Sequence, residues 1–290
     1  MTLPFKRKDI EQTKSLAEAV YRLFGWDLAP RGIHYLFDLE FEERVCIFKG
    51  EAMSGKIARA YDELGRTVRK DTYRKIAEDF KARVHYISDN TKKILDVGCG
   101  SGLLSLELAD YFSGDIIGLD LSKDMIFLAK GNLERRVKGV TAALKRRVSF
   151  VQGSVYDLDK SAIESVDYVV CRNALHRFKH PELAIKRMYD ALRQDGMMYL
   201  RDLRRDAEWT TIISRIGEER WKRPALVKDY IGAMAQMLTL KEIKGLLADL
   251  GITSFEITDG SYKSNQKMFS SPAINEYAPQ VEYACVIKKS

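Results

Sequence analysis

One segment, Lys93-Ile94-Leu95-Asp96-Val97-Gly98-Cys99-Gly100-Ser101-Gly102, constrains the chain more than any other. An apolar run with an acid near its tip opens into three alternate glycines, and a helix-like stretch from Leu103 to Tyr111 follows at once. Strand, tight loop and helix in that order resemble a phosphate loop, but the chemistry is wrong for a phosphate. A dinucleotide fingerprint needs its third glycine three residues after the second, a position held here by Leu103. Asp96 also puts a carboxylate at the strand tip, where a pyrophosphate would be repelled. The loop suits a cationic ligand with an amino-acid tail.

A second acid supports the same ligand. Asp115-Ile116-Ile117-Gly118-Leu119-Asp120 reads as a buried strand ending in a carboxylate, 24 residues past Asp96. A carboxylate at that place can accept both hydroxyls of a ribose. Leu121-Ser122-Lys123-Asp124-Met125 then opens another helix, with Ser122 as its N-cap and Asp124 in the first turn. An ammonium, a sulfonium and an adenosine without phosphate describe S-adenosylmethionine.

With these motifs the chain resembles the class I S-adenosylmethionine-dependent methyltransferases, on the small-molecule branch that includes ubiquinone and menaquinone biosynthesis methyltransferases. The resemblance runs from about Ala58 to the C-terminus. It includes Val151-Gln152-Gly153-Ser154-Val155-Tyr156-Asp157 and the run from Val166 through Cys171-Arg172-Asn173-Ala174-Leu175-His176. It continues with Leu192-Arg193-Gln194-Asp195-Gly196 to Asp202 and with Thr239-Leu240-Lys241-Glu242-Ile243. It implies that Asp96, Gly98, Gly100 and Gly102 hold the methionine portion, Asp120 the ribose, and Ser154 with Val155 the adenine. Cys99, Leu121, Arg172 and Tyr61 complete the expected cofactor set. Relatives usually carry Gly-Asp where this chain has Gly153-Ser154, so the expected adenine contact is a hydroxyl in place of a carboxylate.

The chain has 290 residues, 46% hydrophobic and 31% charged, within the range of ordinary globular domains. No apolar run approaches the ~20 residues of a membrane span, and the N-terminus lacks the apolar core of a signal peptide. A cytoplasmic protein is the expectation. Cys46, Cys99, Cys171 and Cys285 are scattered without a C-x-x-C pair, which argues against a metal site or a disulfide scaffold. The net charge is +7, with basic clusters in residues 130–147 and 201–223. Either a phosphate-tracking surface or a solvated helix face accounts for them.

The spacing predicts strands at 93–97, 115–120, 147–152, 166–171 and 196–202, separated by helices. The expected fold is α/β: a doubly wound, Rossmann-like, mostly parallel seven-stranded sheet with an antiparallel last strand. Two final strands are expected near 255–258 and 281–288. Residues 1–55 form an expected N-terminal extension of a helix plus short strands, packing on the pocket or forming a homodimer contact. Residues 56–290 form the expected methyltransferase domain, with a lid at 203–238 that carries Trp209, Trp221 and Tyr230. Tyr61, on a helix before the first strand, has two open readings: a cover over the ligand, or a core aromatic.

Methyl transfer from a sulfonium is an in-line displacement, so positioning supplies much of the acceleration. His176 is the candidate base, its ordinary pKa of ~6.5 suiting a phenol or enol. His180, before Pro181, reads as a turn residue, and His34 and His85 as structural. Arg201, Arg204 and Arg205 are candidates to grip an acidic substrate. Asn/Asp-Pro-Pro-Tyr/Phe is missing after the fourth strand, which disfavours amino methylation of bases or glutamine. The expected activity is methyl transfer to a small molecule. The alternatives are an RNA methyltransferase using the basic surface and a non-catalytic cofactor-binding regulator.

Overall fold

The computed structural model describes residues 52–84, 90–137, 143–160, 163, 165–207, 236–260 and 281–289. Two helices, α1 (Gly55–Thr67) and α2 (Lys70–Arg83), precede β1 (Lys93–Val97). Then come α3 (Leu103–Tyr111), β2 (Asp115–Asp120), α4 (Lys123–Val137), α5 (Ala143–Arg147) and β3 (Val148–Gln152). A 3-10 turn at Val155–Lys160 leads to β4 (Val166–Arg172), and another at Leu175–Arg177 to α6 (Pro181–Asp190) and β5 (Leu192–Leu203). The chain closes with α7 (Leu240–Asp249), β6 (Phe255–Asp259) and β7 (Glu282–Lys288). The expected extension, apart from residues 52–55, lies outside the described residues. So do His34, His85, Trp209, Trp221 and Tyr230.

All seven strands join one sheet in the order β3-β2-β1-β4-β5-β7-β6. The first five pair in parallel, while β7 runs antiparallel between β5 and β6. β5 starts at Leu192, four residues before its expected beginning, because Leu192 already pairs with Val166. Asp195 at φ 60 and a register shift then lead into the regular ladder.

Strand alternation sorts the apolar side chains onto two faces. Leu95, Val97, Val169, Cys171, Met198 and Leu200 pack with α6 and α7 on one side. Ile94, Ile116, Val148, Phe150, Val170 and Tyr199 pack with α2, α3 and α4 on the other. A parallel sheet covered on both faces needs this near-continuous apolar sequence.

Helix ends carry their expected chemistry. Ser122 Oγ accepts the Met125 N–H at 3.1 Å and caps α4. Thr239 and Glu242 form a reciprocal capping box at the start of α7. Arg147 donates to the carbonyls of Ala109, Phe112 and Gly114, satisfying the C-terminal end of α3. After β5 the chain leaves at Ala207 and is again described from Gln236, with Arg204 and Leu238 bridged in parallel.

Candidate functional site

The carboxyl ends of β1, β2, β3 and β4 surround one cleft, as the parallel order requires. Asp96, Gly98, Cys99, Gly100, Asp120 and Leu121 line it, together with Ser154, Val155, Arg172 and Tyr61. Two of the expected residues do not. Gly102 sits behind the wall at φ 76, where a Cβ would stand 2.5 Å from the Phe150 ring. His176 is turned away toward β5.

The loop is built by close approach. Gly98 has φ 70, and a Cβ there would meet the Ala174 methyl at 2.4 Å. The N–H groups of Gly98 and Cys99 both donate to the Leu119 carbonyl, tying the loop across to β2. Asp120 completes the tie: Oδ2 accepts from Gly100 N–H and Oδ1 from Ser122 N–H, each at 2.8 Å. Each oxygen retains a lone pair for a ligand hydroxyl. Burial raises the pKa of Asp120, opposed by those two backbone bonds and by Arg177.

Asp96 is 1% exposed and accepts from Ser105 Oγ at 2.5 Å. Burial lifts its pKa to about 7, against the lowering influence of Ser105 and Arg172, with Asp120 raising it further. A buried carboxylate at the wall of a cleft is a group that a cationic ligand would satisfy. Cys99 and Cys171 are both buried, and burial pushes their thiols well up, so neither is poised as a nucleophile.

Met53, Tyr73, Tyr156, Asn173 and Phe178, outside the expected set, also shape the cleft. Met53 and Tyr61 bring the start of the described chain over it, held because Gly55 N–H donates to Asp124 Oδ2 at 2.7 Å. The Arg172 guanidinium lies over the Tyr73 ring at 5.4 Å. Tyr156 and Phe178 meet edge to face beyond Ser154, centroids 6.4 Å apart. Ser154 Oγ accepts the Tyr156 N–H at 3.2 Å. Asn173 adopts φ 50 at the end of β4 and lines the same wall. Its place directly after a strand end was the available signal, obscured by an ordinary residue type.

The arginines expected to grip an acidic substrate are otherwise employed. Arg201 is 0% exposed and donates to Glu282 Oε2 at 2.6 Å and to the Gly260 carbonyl at 2.5 Å. Arg205 is buried against Glu242 at 2.8 Å, and Arg204 pairs with Asp206 at 3.0 Å. Alternation turns Arg201 into the sheet's interior, and the following residues fold back on α7. The basic cluster near residues 130–147 is partly consumed too. Arg136 pairs with Glu107 and Asp110, and Lys145 with Glu134.

A sheet of this order, with a glycine loop between two acid-tipped strands, defines a Rossmann-like nucleoside-binding fold. Comparison with known proteins makes the class specific. The family described as "Methyltransferase domain" matches residues 88–258, more than half of the chain. The chain belongs to that family, and with it to the class I S-adenosylmethionine-dependent methyltransferases. A ubiquinone biosynthesis O-methyltransferase of Glaesserella parasuis is 27% identical over 135 residues, 43% of this chain and 53% of its own length. An N,N-dimethyltransferase of dTDP-3-amino-3,6-dideoxy-alpha-D-glucopyranose from Streptomyces fradiae is 42% identical over 77 residues, 27% of this chain and 29% of its own. The chain thus spans about half the length, or less, of these curated relatives. Among solved structures, the plantazolicin methyltransferase BpumL in complex with SAH superposes with a TM-score of 0.58. It is 19% identical, with 98% of each chain covered, a likeness of fold.

Proposed function

We propose that the protein transfers a methyl group from S-adenosylmethionine to a small-molecule acceptor. The observation that carries this reading is Asp96: a carboxylate sealed in the cleft wall, its pKa raised to about 7 by burial, with no cation of the chain in hydrogen-bond contact among the described residues. An α-ammonium fits that need. Asp96 with the loop from Gly98 to Gly100 takes the methionine end, Asp120 the ribose hydroxyls, and Ser154 with Val155 and the aromatic pair Tyr156 and Phe178 the adenine side. When bound, the cofactor supplies an electrophilic methyl on a positive sulfur. The chain's part is to bind, to orient the acceptor and to exclude water, with Tyr61 and α1 as cover.

The relatives support a small-molecule acceptor. Three of them are named for ubiquinone biosynthesis, for magnesium-protoporphyrin and for an amino sugar nucleotide. The common element is a small metabolite. Among the described basic side chains between Lys130 and Arg147, Arg136 and Lys145 pair with carboxylates and Arg135 and Arg147 donate to neighbouring carbonyl oxygens, which weakens the case for an RNA track.

The test uses purified protein, methyl-labelled S-adenosylmethionine and native-cell extract fractionated into small molecules, RNA and protein, beside an Asp120→Ala control. Label confined to the small-molecule fraction, and absent with the variant, supports the proposal. Label in RNA or protein overturns the acceptor class. Cofactor binding without label in any fraction favours a non-catalytic role.

A further inference from the structure

The α4 helix carries a stripe that neither the cleft nor the core uses. Lys123, Phe127, Lys130 and Glu134 recur at helical spacing, which puts them on one face, and all four are exposed. Phe127 is 77% exposed, the most of any large hydrophobic side chain among the described residues. Neither Lys123 nor Lys130 meets an acid among the described residues.

The neighbours of α4 fix where this stripe looks. α1 holds the other flank: Asp62 Oδ1 accepts from Asn132 Nδ2, and Asp124 Oδ2 from the Gly55 N–H, each at 2.7 Å. On the stripe's own side stands α5, whose Lys145 Nζ lies 2.7 Å from Glu134 Oε1. α5 runs directly into β3, the outer strand of the sheet. The stripe therefore flanks the sheet's open edge. β3 has no charged residue between Val148 and Gln152, and Ser149, Val151 and Gln152 are exposed. An uncharged outer strand is an edge that proteins ordinarily cover.

The order of charges says what covers it. A nucleic acid or an anionic lipid surface would meet the two lysines but be repelled by Glu134. The stripe is instead complementary to itself. Turned end for end about a two-fold axis between Leu128 and Ala129, it sets Lys123 against the partner's Glu134 and Phe127 against the partner's Lys130, twice over. Each Lys130 ammonium then meets an aromatic face, and each Glu134 stands between its own Lys145 and the partner's Lys123. We infer that a second copy of this chain docks on α4, helix against antiparallel helix, with the two β3 edges side by side. Such an isologous contact closes at two copies. The 15 residues of α4 span about 22 Å. One stripe of that length falls short of the ~800 Å² per partner of a standard interface, so the β3 edge belongs to the contact and the association is weak. The inference goes beyond methyl transfer and does not rest on the acceptor.

Sedimentation equilibrium of the full chain over a range of concentrations tests it. The variants are Phe127→Ser, Lys123→Glu, Glu134→Lys and the combination of the last two. Wild type should reach about twice the 33.2 kDa of one chain. Phe127→Ser and each single charge variant should weaken self-association about tenfold or more. Their melting temperature and cofactor dissociation constant should not change, because all three side chains are exposed and lie outside the cleft. The double variant should recover to within about threefold of wild type, since each reversed charge again meets its opposite across the axis. A double variant no better than its singles overturns the antiparallel contact. So does a dimer indifferent to Phe127→Ser, which puts the contact elsewhere. Wild type that stays monomeric at every concentration overturns the proposal outright. Monomer that instead floats with vesicles of phosphatidylcholine and phosphatidylserine, and loses this with Phe127→Ser, overturns it by giving the stripe to a lipid surface.

Discussion

Asp96 shows how a single residue sets a conflict between stability and binding. Its folded-state pKa, about 7, stands above its ordinary 3.8 because burial penalises the charge. A group raised in this way adds stability at pH below its unfolded value and loses it as pH rises through the folded one. The cofactor-free protein should therefore lose stability between about pH 4 and pH 7 through this group, with no further loss above. Asp96→Asn should melt higher than wild type at pH 8, the gap closing only toward pH 4, since the amide keeps an oxygen for Ser105. Binding runs the other way. A cation beside Asp96 favours the charged form, so wild-type cofactor affinity should fall about tenfold per pH unit below pH 7. Calorimetric titration over that range checks it, and an affinity flat with pH would remove Asp96 from the cation site. The same residue was legible in part. Its strand-tip position was plain in the sequence, while its hydrogen bond to Ser105 needs the helix to fold back over β1.

At the scale of elements, α7 is fastened at both of its roles by one short motif. Thr239 Oγ1 accepts the Glu242 N–H at 3.1 Å, and Glu242 returns to the Thr239 N–H at 2.6 Å while also holding Arg205. The helix then lays Ile243, Leu246 and Leu247 into the core. Thr239→Ala should cost about 1 kcal/mol in chemical denaturation and leave the cofactor dissociation constant unchanged, because the cap lies away from the cleft. A loss of cofactor affinity would mean that α7 transmits strain to the site. A capping box needs only three residues of spacing, so Thr239 and Glu242 carry a local signal for this helix. They did not foretell that Arg205 would turn back onto it. A basic run reads as surface until the tertiary path supplies a buried acid.

The whole molecule is joined by a buried polar network that no sequence window contains. Asp79 on α2 pairs with Arg83 at 2.7 Å and accepts the Tyr199 hydroxyl at 2.7 Å. Arg201 lies between Asp79 at 3.4 Å and Glu282 at 2.6 Å, and Glu282 faces Arg172 at 3.8 Å. One chain of charges thus connects α2, β5, β7 and the cleft residue Arg172. Removing one member strands a charge in the interior, so Arg201→Met should cost about 3–5 kcal/mol of stability. Glu282→Gln added to it should cost less than the sum of the two single changes, measured as a double-mutant cycle in denaturant. Strict additivity would show that the network acts as separate pairs.

The sequence by itself determined the parts that depend on neighbours along the chain: the alternating strands and helices, the glycine loop after β1, the acids at the tips of β1 and β2, and the cap of α4. Backbone geometry and short-range periodicity carry that information. Only the tertiary structure decided what depends on partners far away in sequence. It turned Arg201 and Arg205 inward, placed Tyr73 and Asn173 on the cleft, and gave His176 to Asp202, 26 residues on. It also slid β7 between β5 and β6. Whether a charged side chain binds a ligand or braces a fold depends on the acid it meets once the sheet is assembled, and pairing across the sheet is settled by burial and register together.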